Sequence, residues 1–439
     1  MFSVHFLLLL VVIFIGIRHG GIAFGLLGGL GVSILAFVFG VAPGSPPIGV
    51  MLIILAVVSA SATLEVTGGL KLLVTYAERL LRKHPEHVVF LGPLCTYTLT
   101  VLVGTGHSVY PLLPVIYDVS YKKGIRPERP MAMATVASQM GITASPIAAA
   151  AAVVMATAFD NNLDISLINV LLVTIPATFV GLMAGCFYSL HRGKDLDKDE
   201  EFAKRCENPE FKHALIDDAI GSPSTEEDLI AKKGLFVFLG GIATVVFIAL
   251  FGKEFSLLPD GVGMSTAIQF LMLSVGAVII LTTKINPKKI ATSSVFSAGM
   301  SAVIIIFGIA WLSDTIIGHH KPMIIENISG IVSDFPWMFA FAMFGASVFL
   351  KSQAAVLTIM FPLGFALGID PVVLVGCIPA CYGYYVLPFY PSDLAAIEFD
   401  RSGTTKIGKY ILNHSFMLPG LIGVSVATTV GYFIATATM

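Results

Sequence analysis

The sequence predicts an all-α polytopic membrane protein made of two inverted-topology repeats. Each repeat has three spans, a re-entrant hairpin, a broken helix and a closing span. Three observations carry this. Hydrophobic residues make up 56% of the 439-residue chain and charged ones 12%, with mean hydropathy +0.88; a soluble domain carries about 25% charged residues. The same order of apolar segments occurs twice, on either side of one long charged tract. One apolar segment in each half is interrupted by Gly, four residues and Pro: Gln139-Met140-Gly141-Ile142-Thr143-Ala144-Ser145-Pro146, and Cys381-Tyr382-Gly383-Tyr384-Tyr385-Val386-Leu387-Pro388.

In order, apolar segments at 4–17, 21–40 and 48–67 read as three spans. Phe6–Ile17 resembles a signal-peptide core, but no small-x-small cleavage site follows, so it is read as a retained first span. A basic amphipathic stretch with Lys71, Glu78, Arg79, Arg82 and Lys83 comes next. Two short apolar pieces, 88–103 and 108–120, flank Gly104-Thr105-Gly106-His107. The first broken segment is 131–159, and 167–190 closes the first half. The second half repeats the pattern with spans at 235–252, 263–284 and 293–317 and a polar amphipathic stretch from His319 to Asp334. Short pieces at 336–350 and 354–367 surround Lys351-Ser352-Gln353. The second broken segment is 372–399 and the closing span 411–437. The division is therefore 1–191 for the first repeat, 192–234 for a cytoplasmic linker of mixed charge, and 235–439 for the second repeat.

Orientation follows from lysine and arginine. Placing the basic loops 71–83, 122–129, 192–233, 285–289 and 401–409 in the cytoplasm requires that 88–120 enter and return without crossing. Both termini then lie outside, and an odd number of crossings per half inverts the repeats.

A helix interrupted at membrane depth is tolerated where it is buried or lines a cavity, and matched interruptions in two halves point to a carrier's binding site. Helix N-termini at hairpin tips expose unpaired N–H groups and favour anions. The first tip offers Thr105, Gly106, His107 and Ser108; the second, Ser352 and Gln353. The broken segments add Gln139, Thr143 and Ser145 from one half, and Tyr382, Tyr384, Tyr385, Tyr390, Ser392 and Asp393 from the other. Hydroxyls and amides suit a small anion that must be released again, since a permanent ion pair in low dielectric parts slowly. Charges inside apolar segments are few: Glu65, Asp118, Lys351, Asp393 and Glu398. Lys351 and Asp393 flank the site and are candidates for charge balance or coupling. Arg126 and Arg129 fall at the cytoplasmic mouth, suited to drawing in anions or to anchoring topology.

Other classes are disfavoured. A net charge of −2 argues against nucleic acid. Five scattered cysteines form neither a disulfide framework nor a metal pattern. Gly104-Thr105-Gly106 lacks the third glycine and the Lys-Ser/Thr of nucleotide loops, and no GxSxG or HExxH occurs, so neither a cofactor nor an enzyme is expected.

Ser59–Leu70, Val103–Pro114, Ile125–Ala132, Gln139–Pro146 and Ala380–Thr405 together carry a more specific signal. On these stretches the chain resembles, over essentially its whole length, the anaerobic four-carbon (C4) dicarboxylate carriers of the Dcu family, on the DcuB-like side. The resemblance implies exchange of fumarate, malate or aspartate for succinate across the bacterial inner membrane, and for some members a membrane sensor kinase as partner. Phe389 stands where the family pattern has Thr, removing a hydroxyl, and Glu65 stands where DcuB-like relatives have Gln. Asp393 matches the DcuB-like but not the DcuA-like form, so it is not expected to be needed for dicarboxylate binding in general. The expected partners are dicarboxylates and the bilayer. A homodimer, a regulatory co-sensor and an H⁺- or Na⁺-coupled symporter stay open at this point.

Overall fold

Inside a bilayer a backbone N–H or C=O must find its partner within its own segment, and the apolar runs of this chain are helical. The structure, a computed structural model, describes residues 1–19, 22–160, 163, 165–208, 211, 215, 225–252, 255–259, 262–388, 390–408 and 412–439. Most of 209–224 in the linker, and Phe389, lie outside the described residues.

The first half comprises α1 (Phe2–His19), α2 (Ile22–Phe37), α3 (Ile48–Val66) and the amphipathic α4 (Gly69–Lys83). Next come α5 (Val88–Val103), a 3₁₀ stretch Gly106–Leu112, and α6 (Leu113–Lys122). The broken segment is α7 (Glu128–Thr143) and α8 (Ala149–Asp160), and α9 (Leu167–Leu190) closes the half. The short α10 (Glu200–Cys206) lies in the linker. The second half has α11 (Thr225–Phe251), α12 (Met264–Thr283) and α13 (Ser294–Asp334). After α14 (Phe339–Leu350) and α15 (Gln353–Ala366) come α16 (Pro371–Gly376), two 3₁₀ turns, α17 (Pro391–Phe399) and α18 (Met417–Thr438). Among the described residues the one β-type pairing is an isolated bridge between Ile407 and His414.

Among the described residues, seven stretches are long and apolar enough to cross a membrane: 48–66, 85–103, 167–190, 228–251, 264–283, 294–320 and 417–438. The stretch 85–103 is nevertheless followed by a return. Arg82 at the end of α4 donates to Asp118 near the end of α6 at 2.7 Å, which sets both ends of the α5–α6 limb pair at one level. The chain turns between the limbs at Gly104, whose φ of +80° is a left-handed cap that a side chain would strain.

The second half departs from expectation in three places. The polar stretch His319–Asp334 is no separate interfacial helix but the continuation of the 41-residue α13. In the first half Gly68, at φ +80°, ends α3 before α4 begins; among the described residues no positive φ occurs between Lys284 and Lys351, so α13 runs on through Pro322. The second interruption opens at Cys377, ahead of Gly383, because Pro379 cannot continue α16. Finally, α11 begins at Thr225, inside the stretch expected to be linker.

Glu65, at the end of α3, accepts from Ser294 Oγ and from Val295 N (2.9 Å) and so caps α13. The helices α2 and α13 meet backbone to backbone. A Cβ on Gly308 would lie 1.7 Å from Gly25 O, so only glycine permits this approach. Gly308→Val is expected to force the two helices apart and lower the thermal unfolding midpoint in detergent, while Gly318→Val, with open space around it, leaves the midpoint unchanged.

Candidate functional site

Four backbone interruptions meet at Gln139, in the last turn of α7. Its side chain is 1% exposed, and its Oε1 accepts from Tyr384 Oη at 2.6 Å. Its main-chain carbonyl accepts from Gln353 Nε2 at 2.7 Å, and the same amide reaches Tyr384 Oη at 3.4 Å. On the first tip, a Cβ on Gly106 would fall 2.4 Å from Gln139 Nε2, so the tip's backbone rests on this amide. Gly106 and Gln139 come from the first half, Gln353 and Tyr384 from the second.

The local reasons lie in the sequence. Pro146 has no N–H to continue α7 and clashes with the carbonyl four residues back, so the chain unwinds after Thr143. Lys351 takes a left-handed φ of +49°, then Ser352 caps α15 by accepting from Ala355 N at 3.3 Å, which leaves Gln353 first in the helix and aimed at α7. At the first tip Thr105 accepts from His107 N at 3.3 Å, and Ser108 Oγ lies 2.9 Å from Thr100 Oγ1 across the limbs. In the 3₁₀ stretch residues three apart eclipse, and the His107 ring stacks on Tyr110 at 5.6 Å. With Ser108 turned to Thr100 and His107 to Tyr110, no serine–histidine pair is assembled.

Beside Gln139 the rings of Tyr382, Tyr384, Tyr385 and Tyr390 form a cluster with centroids 4.5–5.1 Å apart. Asp393, 1% exposed, stands within electrostatic reach of Tyr110, Tyr382, Tyr390 and Lys351. Gln353 Oε1, Tyr382 Oη, Tyr385 Oη, Ser392 Oγ and both Asp393 carboxylate oxygens are buried with no hydrogen-bond partner among the described residues. Burying such a group unpaired costs about 1–3 kcal/mol, so a concentration of them makes this the candidate place for a polar guest. On the other side of the first tip, a cavity of about 110 Å³ is bounded by Ser61, Thr105, His107 and Ile147 together with α3 and α13.

The structure thus brings together Gly106, Gln139, Gln353 and Tyr384, with Tyr385, Ser392, Asp393 and Lys351 adjoining. Thr143 and Ser145 are occupied locally, with Met140 O at 3.1 Å and Ile147 N at 3.4 Å. Arg126 and Arg129 are not in this cluster. Arg126 donates to Glu128 at 2.7 Å and Asp199 at 2.5 Å; Arg129 donates to Asp195, Arg192 O and Gly193 O. Together with Arg205 on Ser402 O (2.9 Å) and Lys406 on Glu201 (3.2 Å), they strap the linker across the start of α7 and the loop after α17. Tyr110 was missed in the sequence. Its three-residue spacing from His107 was the available signal.

All-helical spans, an interrupted helix in each half and a buried polar meeting point define a polytopic membrane transporter. The chain belongs to the family of anaerobic C4-dicarboxylate membrane transporters that unites DcuA and DcuB, whose family model matches residues 1–439. It is 46% identical over 442 residues to the anaerobic C4-dicarboxylate transporter DcuB of Escherichia coli O6:H1, covering 99% of this chain and 98% of that one. It is 39% identical to the C4-dicarboxylate transporter DcuA of Wolinella succinogenes, with 98% of each covered. These relatives are transporters and not enzymes. The fold is similar to that of the Alcanivorax borkumensis YdaH transporter, reported to have an unusual topology. The TM-score is 0.57 at 17% identity, over 89% of this chain and 86% of that one.

Proposed function

We propose that this protein exchanges C4 dicarboxylates across the bacterial inner membrane, taking up fumarate, malate or aspartate against succinate by alternating access. The observation that carries the reading is the meeting of Gly106, Gln139, Gln353 and Tyr384, two from each half, beside buried hydroxyls without partners. One substrate carboxylate is held by the Gln139 and Gln353 amides and tip N–H groups; the tyrosine hydroxyls and Ser392 hold the other. Lys351 and Asp393 balance charge, and Asp393 is the group through which a proton would enter the cycle. The two halves act as repeats of opposite orientation, with linker and both termini on opposite sides of the membrane.

Exchange follows from the cost of the empty site. Buried polar groups without a guest disfavour the occluded state, and a bound dicarboxylate offsets that cost, so the loaded carrier reorients faster. Proteoliposomes preloaded with succinate are expected to take up labelled fumarate faster than empty ones. Equal rates would contradict exchange and favour a channel. Binding without movement would favour a regulatory membrane protein.

A further inference from the structure

We propose that α4 and the start of α11 form a binding site for the headgroup of an anionic phospholipid. The helix α4 buries Leu72, Val74, Ala77 and Leu81 against the protein and turns Lys71, Tyr76, Arg79, Leu80 and Lys83 outward. Arg82 is already engaged, donating to Glu78 at 2.9 Å and Asp118 at 2.7 Å. Arg79 is differently placed. Its guanidinium carbon sits 5.9 Å over the Tyr76 ring, and among the described residues no carboxylate pairs with it. From the other half of the chain, Lys232 stands on α11, which packs on α4, and its ammonium lies 2.8 Å from Asp228. Lys233 is exposed next to it. Basic side chains of two packed helices thus share this surface, and among the described residues the carboxylate paired with them is Asp228.

The apolar neighbours decide the class of ligand. Tyr76 is 44% exposed and Leu80 41%, on a helix joined directly to the span α3 and packed on α11. A phenol and a leucine set among outward cations suit the boundary between headgroup and acyl chain. A soluble acidic partner would gain nothing from the exposed leucine. The phosphate sits between Arg79 and Lys232, the glycerol backbone rests along Tyr76, and an acyl chain follows Leu80 into the bilayer.

The test uses the full chain, purified in detergent and stripped of lipid. Binding of short-chain phosphatidylglycerol, phosphatidylcholine and inorganic phosphate is followed by thermophoresis. Phosphatidylglycerol is expected to bind, and the pair R79Q/K232Q is expected to weaken it about thirtyfold, from the typical contribution of each basic residue near an anionic surface. The pair K288Q/K289Q removes the same charge elsewhere on the surface, from two exposed lysines, and is expected to leave binding unchanged. Equal binding of phosphatidylcholine, competition by inorganic phosphate, an unchanged R79Q/K232Q, or an equal loss in K288Q/K289Q would each overturn the site. Because the readout is lipid binding in detergent, it stands apart from the exchange assay.

Discussion

Gln139→Leu is expected to slow labelled fumarate uptake into succinate-loaded proteoliposomes by about ten- to a hundredfold, the range for losing one hydrogen bond to a charged group. Leucine keeps the volume but removes the acceptor of the Tyr384 hydroxyl and the amide facing the first hairpin tip. Leaving the Tyr384 hydroxyl without its acceptor costs about 1–3 kcal/mol of stability, so the thermal midpoint falls as well. Pairing it with Tyr384→Phe separates the two effects. Replacing both partners of a buried hydrogen bond by apolar groups is nearly neutral. Q139L/Y384F therefore recovers its midpoint while uptake stays low. Recovery of both would reduce Gln139 to packing.

Arg126→Met is expected to produce the largest loss of stability, about 3 kcal/mol, the lower end for removing one partner of a buried ion pair. Arg126 is 12% exposed and bridges Glu128 to Asp199, while Glu128 also meets Arg192 at 3.2 Å and Ser415 Oγ at 2.8 Å. Tryptic cleavage at Lys194, Lys198 and Lys204, with the linker face accessible, should quicken in the variant. Acid acts on the same strap. Burial raises the Asp199 carboxyl, but the Phe202 N–H and the Arg126 guanidinium outweigh it and hold the group below its ordinary 3.8. A depressed carboxyl stabilises the fold above its ordinary value and stops doing so as pH falls through the lower, folded one. Peptic cleavage of the linker in the native protein should therefore rise below the ordinary aspartate range. In Arg126→Met the rise should start at higher pH.

Some of this architecture was plain in the chain. The bounds 167–190 and 88–103 coincide with α9 and α5, because an uninterrupted apolar run in a bilayer has no alternative to helix. Pro146 marked the first interruption for the same covalent reason that it produces one. In the second half the Gly383 and Pro388 pattern points past the break, because Pro379 already ends the helix upstream of both. The length of α13 was hidden by His319 and His320, whose polarity suggests an interface helix when it is equally consistent with a span running past the bilayer. Residue types also identified the tips, but only coordinates connect Gln139 to Tyr384, 245 positions apart. The hold of Arg126 and Arg129 on the linker was not legible either, since Asp199 and Asp195 lie 73 and 66 residues away in a stretch whose mixed charges suggested a solvated loop.

The bare-backbone crossing of Gly25 and Gly308 has a mechanical consequence. Two rods notched into each other resist both sliding and rolling, so α2 and α13 travel as one rigid piece. Any stroke that carries cargo must then be taken up at a softer seam. In the proposed exchange cycle the void between the first hairpin tip and α3 and α13 would serve as such a seam, since loosely filled space lets one body shift against the other without breaking a main-chain contact.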